Sequence, residues 1–221
     1  QEETDETDNV TAVAIEIEAP NLTISGTPTV PTSAALGETI SVEYTVTNNG
    51  SITAPADWYD VFYISDDATL DGSDTYIGGR YTYSDTPLAA GDSYTATYDV
   101  TIDNSVGAGN KYLLFAADGY EYQGETDETD NVTAVAIEIE VPNLTISETP
   151  TVPTSAALGE TISVEYTVTN NGSITAPTDW YDIFYISDDA TLDSSDTYIG
   201  RRYTYSDTPL AAGDSYTATY D

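Results

Sequence analysis

The chain contains twice the stretch Trp58-Tyr-Asp-Val-Phe-Tyr-Ile-Ser-Asp-Asp-Ala-Thr-Leu-Asp-Gly-Ser-Asp-Thr-Tyr-Ile-Gly78, which returns as Trp180–Gly200 with two substitutions. Its first half alternates aromatic and β-branched residues with smaller polar residues, and this period predicts a β-strand over 57–65. A second strand is predicted over 75–83. The segment between them is short and acidic, so the stretch indicates two strands joined by a negatively charged loop.

This acidic loop carries four aspartates within nine residues, and all four recur in the second copy. Carboxylates at this spacing repel one another unless they point into water or share a cation. Ca²⁺ takes about six to eight oxygen ligands, which aspartates and loop carbonyls supply. We therefore predict calcium as the cofactor, although the spacing does not match an EF-hand and a solvated acidic turn is the alternative. The predicted ligands are Asp66, Asp67, Asp71, Asp74, Asp188, Asp189, Asp193 and Asp196.

A second acidic run, Glu125-Thr-Asp-Glu-Thr-Asp130, is interpreted as a solvated loop, because runs of charge usually face water. If the strands run up and down in order, the loop 118–130, which contains this run, lies at one end of the unit, together with residues 48–57. The loop 66–74 then lies at the opposite end, near the joint at 140–142, where it faces the following unit. A short joint that contains a proline is expected to be stiff.

The composition is strongly acidic: 39 Asp and Glu residues against 4 Lys and Arg residues leave a formal net charge of −35. This charge argues against nucleic-acid binding, which requires a basic surface, and against docking on anionic lipid. The chain is still expected to fold, since 39% hydrophobic and 11% aromatic residues are too many for disorder. Thiol and imidazole chemistry are excluded because Cys and His are absent. The sequence has no apolar run of about 18 residues, so no membrane insertion is predicted.

The sequence is a repeat with a period of 122 residues, the offset between Asn21 and Asn143. Residues 1–99 align without gaps on 123–221, and the period is that of a whole domain rather than of a solenoid unit. The two copies differ at seven aligned positions: Glu2/Gly124, Ala19/Val141, Gly26/Glu148, Ala56/Thr178, Val61/Ile183, Gly72/Ser194 and Gly79/Arg201.

This repeat predicts three segments. Residues 1–19 form the C-terminal strand of a preceding repeat, 20–141 form a complete repeat, and 142–221 form an incomplete repeat that lacks its last strands. The parent protein is then expected to continue in both directions. Donation of residues 1–18 as a strand to another copy of the chain is the weaker alternative, because further strands would still be missing.

The complete repeat has alternating patterns that predict seven strands. They cover residues 22–30, 39–47, 57–65, 75–83, 94–102, 111–117 and 131–140. Seven short strands in about 120 residues predict an all-β fold, namely an immunoglobulin-like antiparallel Greek-key β-sandwich, with repeats arranged end to end. Trp58 and the tyrosines are interpreted as packing in the core and at its rim.

The combination of motifs resembles the CARDB family, the cell-adhesion-related domain found in bacteria. The motifs are Pro20-Asn-Leu-Thr-Ile-Ser25, Ser33–Gly50, Tyr63–Asp74, Pro87-Leu-Ala-Ala-Gly-Asp92 and Glu125–Val132. The resemblance covers the complete repeat and, through the period, nearly the whole chain. It implies a β-sandwich repeat of large secreted or surface proteins and implies no enzyme activity.

We therefore expect a structural or adhesive module of a secreted, cell-surface or extracellular-matrix protein, stabilised by calcium in a rod or filament. Its expected partners are neighbouring repeats, other copies of the chain in a fibre, and surface glycans. The alternatives are a halophilic surface-layer or matrix spacer without a specific ion site, and a carbohydrate-binding module. Catalysis is not expected, because the carboxylates are assigned to exposed loops and outward strand faces, where nothing raises a pKa.

Overall fold

The computed structural model describes residues 10–221, and within that range it contains strands and no helix. The segment 10–221 accordingly has no helix that could cross a membrane. The first repeat contains β1 (Leu22–Ile24), β2 (Ser33–Ala35), β3 (Thr39–Asn48), β4 (Tyr59–Ser65), β5 (Thr75–Tyr81), β6 (Ser93–Thr101), β7 (Gly109–Ala116) and β8 (Val132–Glu140). The second contains β9 (Leu144–Ile146), β10 (Val164–Asn170), β11 (Tyr181–Ile186), β12 (Thr197–Tyr203) and β13 (Ser215–Tyr220). The predicted all-β, immunoglobulin-like fold is confirmed.

The described residues divide into two compact units. Unit 1 comprises the chain up to Thr32 together with Thr39–Ile102 and Asn110–Ile137. Unit 2 comprises Ser33–Glu38, Asp103–Gly109 and Glu138–Asp221. The repeat boundaries predicted from the sequence, at 20–141 and 142–221, stay a prediction.

The strands of the first repeat form two sheets. One has the strand order β1-β3-β6, and the other has the order β2-β8-β7-β4-β5, in which β2 and β8 run parallel. The alternation of β3 sets its inward face: Ile40, Val42, Tyr44 and Val46 are buried, whereas Glu43 between them is exposed. This is the expected result of the two-residue period of a strand that has one buried face.

Aromatic side chains dominate the core of unit 1. The ring of Phe62 lies 5.3 Å from that of Tyr44 and 5.6 Å from that of Phe115, both in edge-to-face geometry. Trp58 is completely buried, so its interpretation as a core residue is confirmed. Burial of such large rings supplies much of the hydrophobic free energy of folding.

The structure corrects two details of the predicted strands. The first strand ends at Ile24 rather than at residue 30, because the four residues 25–28 lie opposite only two residues, 44 and 45, and this mismatch interrupts the ladder before the isolated bridge between Thr29 and Glu43. The second copy breaks at the same point, with Glu148 in place of Gly26. The short strand β2 was also not predicted, so the first repeat has eight strands rather than seven. That strand is three residues long, and its partner β8 lies about a hundred residues away, so no local pattern marks it.

Residues 10–18 have the same sequence as β8 but form no strand. Ile15 is 81% exposed, whereas its counterpart Ile137 is 3% exposed. The segment predicted as a strand of a preceding repeat falls on 1–19, of which 1–9 lie outside the described residues. The difference between the two copies shows that this sequence becomes a strand only beside suitable neighbours.

The strands of unit 2 pair as their counterparts in unit 1 do, but the apolar face of unit 2 is more exposed than that of unit 1. Its sheets have the orders β13-β10-β9 and β11-β12. Ile183 is 50% exposed, whereas its counterpart Val61 is fully buried. An open hollow of about 420 Å³ lies over this face, and its lining includes Leu158, Ile162, Phe184 and Ile186.

Candidate functional site

The loop 66–74, the predicted calcium site of unit 1, connects β4 to β5. Its carboxylates organise its own backbone: Asp67 Oδ1 accepts a hydrogen bond from Thr69 N at 2.8 Å, and Asp71 Oδ1 accepts from Ser73 N at 2.7 Å. Asp74 Oδ2 accepts from Asp71 N, also at 2.7 Å. These three aspartates therefore stabilise turns, because one carboxylate oxygen of each accepts a hydrogen bond from a nearby backbone N–H group.

The fourth aspartate of this loop has a different partner. Asp66 forms an ion pair with Lys111, and its side chain is largely exposed. The hydrogen bonds from Ser73 hold the pKa of Asp71 below its ordinary value, so this carboxyl stays ionised. Across residues 10–221 no three acidic side chains converge in an arrangement that could hold a metal ion. Calcium coordination by this loop would therefore require its carboxylates to reorient.

The corresponding loop of unit 2 repeats this arrangement. Asp189 Oδ1 accepts from Thr191 N at 2.6 Å, and Asp193 N donates to Asp196 Oδ2 at 2.7 Å. The hydrogen bonds from Ser195 lower the pKa of Asp193. Asp188, the remaining predicted ligand, is exposed. The structure thus places all eight predicted ligands on the two loops.

The second acidic run is more than the solvated loop predicted from the sequence, because it holds the start of β1. Glu125 is half-buried and accepts hydrogen bonds from Leu22 N and, at 3.1 Å, from Asn131 Nδ2. Asp130 Oδ2 accepts from Asn21 Nδ2 at 3.0 Å. These bonds satisfy polar groups at one end of the sandwich that burial would otherwise leave unpaired.

The position predicted for this second loop is confirmed. Gln123 Nε2 donates a hydrogen bond to Ala56 O at 3.1 Å, so the loop lies beside residues 48–57. Burial, together with the nearby carboxylates Glu128 and Asp118, raises the pKa of Glu125 to about 7, against the lowering effect of the hydrogen bonds from Leu22 N and Asn131. Glu125 therefore titrates close to neutral pH.

Replacing Glu125 by glutamine is expected to flatten the pH dependence of stability between pH 5 and 8. Because the folded-state pKa of Glu125 lies above its ordinary value near 4.5, protonation stabilises the fold. That contribution is complete below the unfolded-state pKa and is lost as the pH rises through about 7. Thermal unfolding followed by circular dichroism at constant ionic strength should show a smaller fall in Tm for Glu125→Gln than for the wild-type chain. Glu43→Gln, the same charge change at an exposed strand position, should keep the wild-type slope, and equal slopes for all three proteins would contradict the prediction.

A carboxylate that lies in the core of unit 1 was not predicted from the sequence. Asp60, on β4, is 1% exposed and accepts hydrogen bonds from Tyr44 Oη at 2.6 Å, Tyr94 Oη at 2.5 Å and Trp58 Nε1 at 3.0 Å. Arg80 Nη1 lies 3.9 Å from its Oδ2 atom. Burial raises the pKa of Asp60 to about 6, although the three donors and Arg80 oppose this shift. One signal could have found it: residue 60 shares strand parity with Trp58 and Phe62, so it faces inward.

The same network recurs in unit 2 around Asp182. This carboxylate accepts from Tyr166 Oη at 2.5 Å, Tyr216 Oη at 2.6 Å and Trp180 Nε1 at 3.1 Å, with Arg202 Nη1 at 3.7 Å. In both units the acceptor oxygens are engaged by neighbouring side chains of the fold. The network therefore has the chemistry of a structural element that satisfies buried tyrosine and tryptophan donors. The Nη1 atoms of Arg80 and Arg202 lie within ion-pair distance of the carboxylates but have no hydrogen-bond partner.

The family model of CARDB matches residues 19–135 and 141–221. A crystal structure of a CARDB domain from Pyrococcus furiosus in complex with di-metal ions is similar at 18% identity, with a TM-score of 0.41, and the match covers 57% of this chain and 97% of that chain. A solution NMR structure of the same domain matches at 19% identity with a TM-score of 0.40, covering 56% and 97%.

A β-glucosidase from Listeria innocua matches over 55% of this chain and 16% of its own, at 16% identity and a TM-score of 0.35. No curated protein matches the chain.

Proposed function

The chain belongs to the CARDB family, and from this premise we propose that it is a structural, adhesion-related module of a secreted or cell-surface protein. The observation that carries the proposal is the match of the family to both copies of a repeat the length of a domain. A β-sandwich that recurs with only seven differences in 99 aligned positions serves a function that benefits from repetition, such as spacing or multivalent attachment.

The carboxylates of the chain support a structural role rather than catalysis. Asp60 and Asp182 are bonded to core side chains, and six of the eight loop aspartates accept hydrogen bonds from the backbone of their own loop. Glu125, whose pKa is raised to about 7, bonds to Leu22 N and Asn131 Nδ2. Each of these groups has a partner within the fold, so we assign none of them to a reaction.

We further propose that calcium stabilises the module at the two aspartate loops. The proposed partners of the module are neighbouring repeats and other copies of the chain. The support is electrostatic: a net charge of −35 destabilises a compact chain, and a divalent cation relieves repulsion more effectively than a monovalent one. Binding would recruit the carboxylate oxygens of Asp67, Asp71 and Asp74 that the turns leave free. The halophilic alternative, a spacer without a specific ion site, predicts that monovalent salt is equally effective.

Calcium is expected to raise the Tm of the chain at constant ionic strength. Extracellular calcium modules bind with Kd values of roughly 10⁻⁴ to 10⁻³ M. A hundredfold excess over Kd stabilises the folded state by about 2.7 kcal/mol per site. The measurement is thermal unfolding in CaCl₂, in EGTA, and in KCl of matched ionic strength.

A pair of variants separates a specific site from general screening. Asp71→Asn with Asp193→Asn keeps the oxygen that accepts the turn hydrogen bonds but removes one charge from each loop. The calcium-induced shift in Tm should shrink strongly in this variant and persist in a control, Asp99→Asn with Glu43→Gln, that also removes two charges. Equal rescue by KCl, or an unchanged shift in the loop variant, would favour the spacer without an ion site.

A further inference from the structure

Five tyrosines of unit 1 form one surface group, the tyrosine cluster: Tyr59, Tyr81, Tyr83, Tyr120 and Tyr122. The ring centroid of Tyr59 lies 4.9 Å from that of Tyr81, 5.6 Å from that of Tyr120 and 6.3 Å from that of Tyr122. Tyr83 stacks on Tyr81 at 6.1 Å. All except the half-buried Tyr59 are exposed. Contiguous exposed aromatic area of this kind marks interaction sites, because it is costly to leave in water.

Negative charge borders the tyrosine cluster. Asp57 Oδ2 accepts a hydrogen bond from Tyr81 Oη at 2.9 Å, and the exposed Glu121 lies between Tyr120 and Tyr122 in the sequence. Aromatic rings carry partial negative charge on their faces, so rings and carboxylates together favour a cationic ligand over a neutral one.

The cationic side chains of the first repeat are engaged elsewhere. Arg80 forms an ion pair with Asp85, and Lys111 forms one with Asp66. These are the two basic residues between positions 10 and 141. A cation on the tyrosine cluster would therefore have to come from outside the first repeat.

The second repeat shows which cation fits this surface. Gly79 of the first repeat is replaced by Arg201, whose guanidinium carbon lies 4.4 Å from the ring centroid of Tyr181, the counterpart of Tyr59. A Cβ atom at Gly79 would lie 3.7 Å from Tyr59 Cδ1, so position 79 borders the same ring. One copy thus places its own guanidinium on the tyrosine, and the other has glycine there.

We propose that the tyrosine cluster of unit 1 binds an arginine-bearing segment of a partner protein, with a guanidinium on the face of Tyr59 as Arg201 lies on Tyr181. Guanidinium groups stack on aromatic faces and are weakly hydrated, which favours arginine over lysine. The surrounding carboxylates attract the basic partner. This inference is independent of calcium binding, because the cluster and the aspartate loops involve different residues.

Binding is measured by titrating the 221-residue chain with the end-blocked peptide Gly-Arg-Gly-Arg-Gly and following the amide chemical shifts of the chain by NMR. In the variant Gly79→Arg, the new arginine side chain should itself occupy the face of Tyr59. The double variant Tyr120→Ala with Tyr122→Ala should remove two exposed rings of the cluster. Each is expected to weaken binding about 2- to 5-fold, the range that one exposed cation–π contact supplies. Glu43→Gln, which changes the net charge as much as Gly79→Arg does, should leave binding unchanged.

Two comparisons complete the design. The peptide Gly-Lys-Gly-Lys-Gly should bind more weakly than the arginine peptide. Equal affinity for the two peptides, equal weakening by Glu43→Gln and Gly79→Arg, or no binding at millimolar peptide would overturn the proposal. The proposal would also be overturned if cellohexaose bound instead of the peptide and the double tyrosine variant lost that binding, because the cluster would then be a glycan-binding surface. If circular dichroism shows that Gly79→Arg is unfolded, the double alanine variant decides.

Discussion

Replacing Asp60 by alanine is expected to lower the free energy of unfolding of unit 1 by about 3–5 kcal/mol, the range for breaking a buried charged pair. The substitution removes the acceptor of Tyr44, Tyr94 and Trp58 and one of the two ion-pair partners of Arg80. Buried donors without acceptors pay their full desolvation cost. The measurement is urea unfolding followed by Trp58 fluorescence in a Trp180→Phe background, so that unit 1 alone is reported.

Asp99→Ala is the matched control for this prediction. It removes the same charge from an exposed position of β6 and should change stability by no more than about 0.5 kcal/mol. A loss below about 1 kcal/mol for Asp60→Ala would show that water replaces the carboxylate at little cost. It would then be wrong to treat this network as a principal support of the core.

Replacing Ile137 by alanine is expected to destabilise unit 1 by about 2–5 kcal/mol, whereas Ile15→Ala should have no measurable effect. Both isoleucines stand in the same nine-residue sequence, Val-Thr-Ala-Val-Ala-Ile-Glu-Ile-Glu. Only Ile137 is buried, so only its removal leaves a cavity and loses transfer free energy. Intrinsic strand propensity cancels in the comparison, because the local sequences are identical.

Urea unfolding with the same Trp58 reporter measures both variants. Comparable losses in the two proteins would mean that residues 10–18 pack against folded structure in solution, contrary to their exposure here. A loss in neither would mean that β8 contributes little to the cooperative core, and the role of the second sheet in unit 1 would need revision.

Much of the fold could be predicted from the sequence, because strand alternation is a local property. The inward faces of β3 and β8 follow the two-residue period, and Trp58 is in the core as expected. The position of the loop 118–130 beside residues 48–57 was also predicted correctly. The short strand β2 could not be predicted, since its parallel pairing with β8 joins residues that are distant in the chain.

The candidate sites were predicted less completely. Clustered aspartates are visible in the sequence, but whether their oxygens face a common point depends on the turns that their own hydrogen bonds make. Glu125 belongs to an acidic run typical of solvated loops, and only its contacts with Leu22 and Asn131 show that it is half-buried. The tyrosine cluster assembles rings from β4, β5 and the loop after β7, which no single stretch of sequence contains.

The repeat, the strand periodicity and the family follow from the order of residues, since they depend only on spacing and residue type. Which of two identical segments becomes a strand, and how deeply Asp60 is buried, depends on the folded chain. The physical reason is that burial depends on neighbours brought together from distant parts of the chain. An isoleucine or an aspartate has no fixed contribution to stability until those neighbours either cover it or leave it in water.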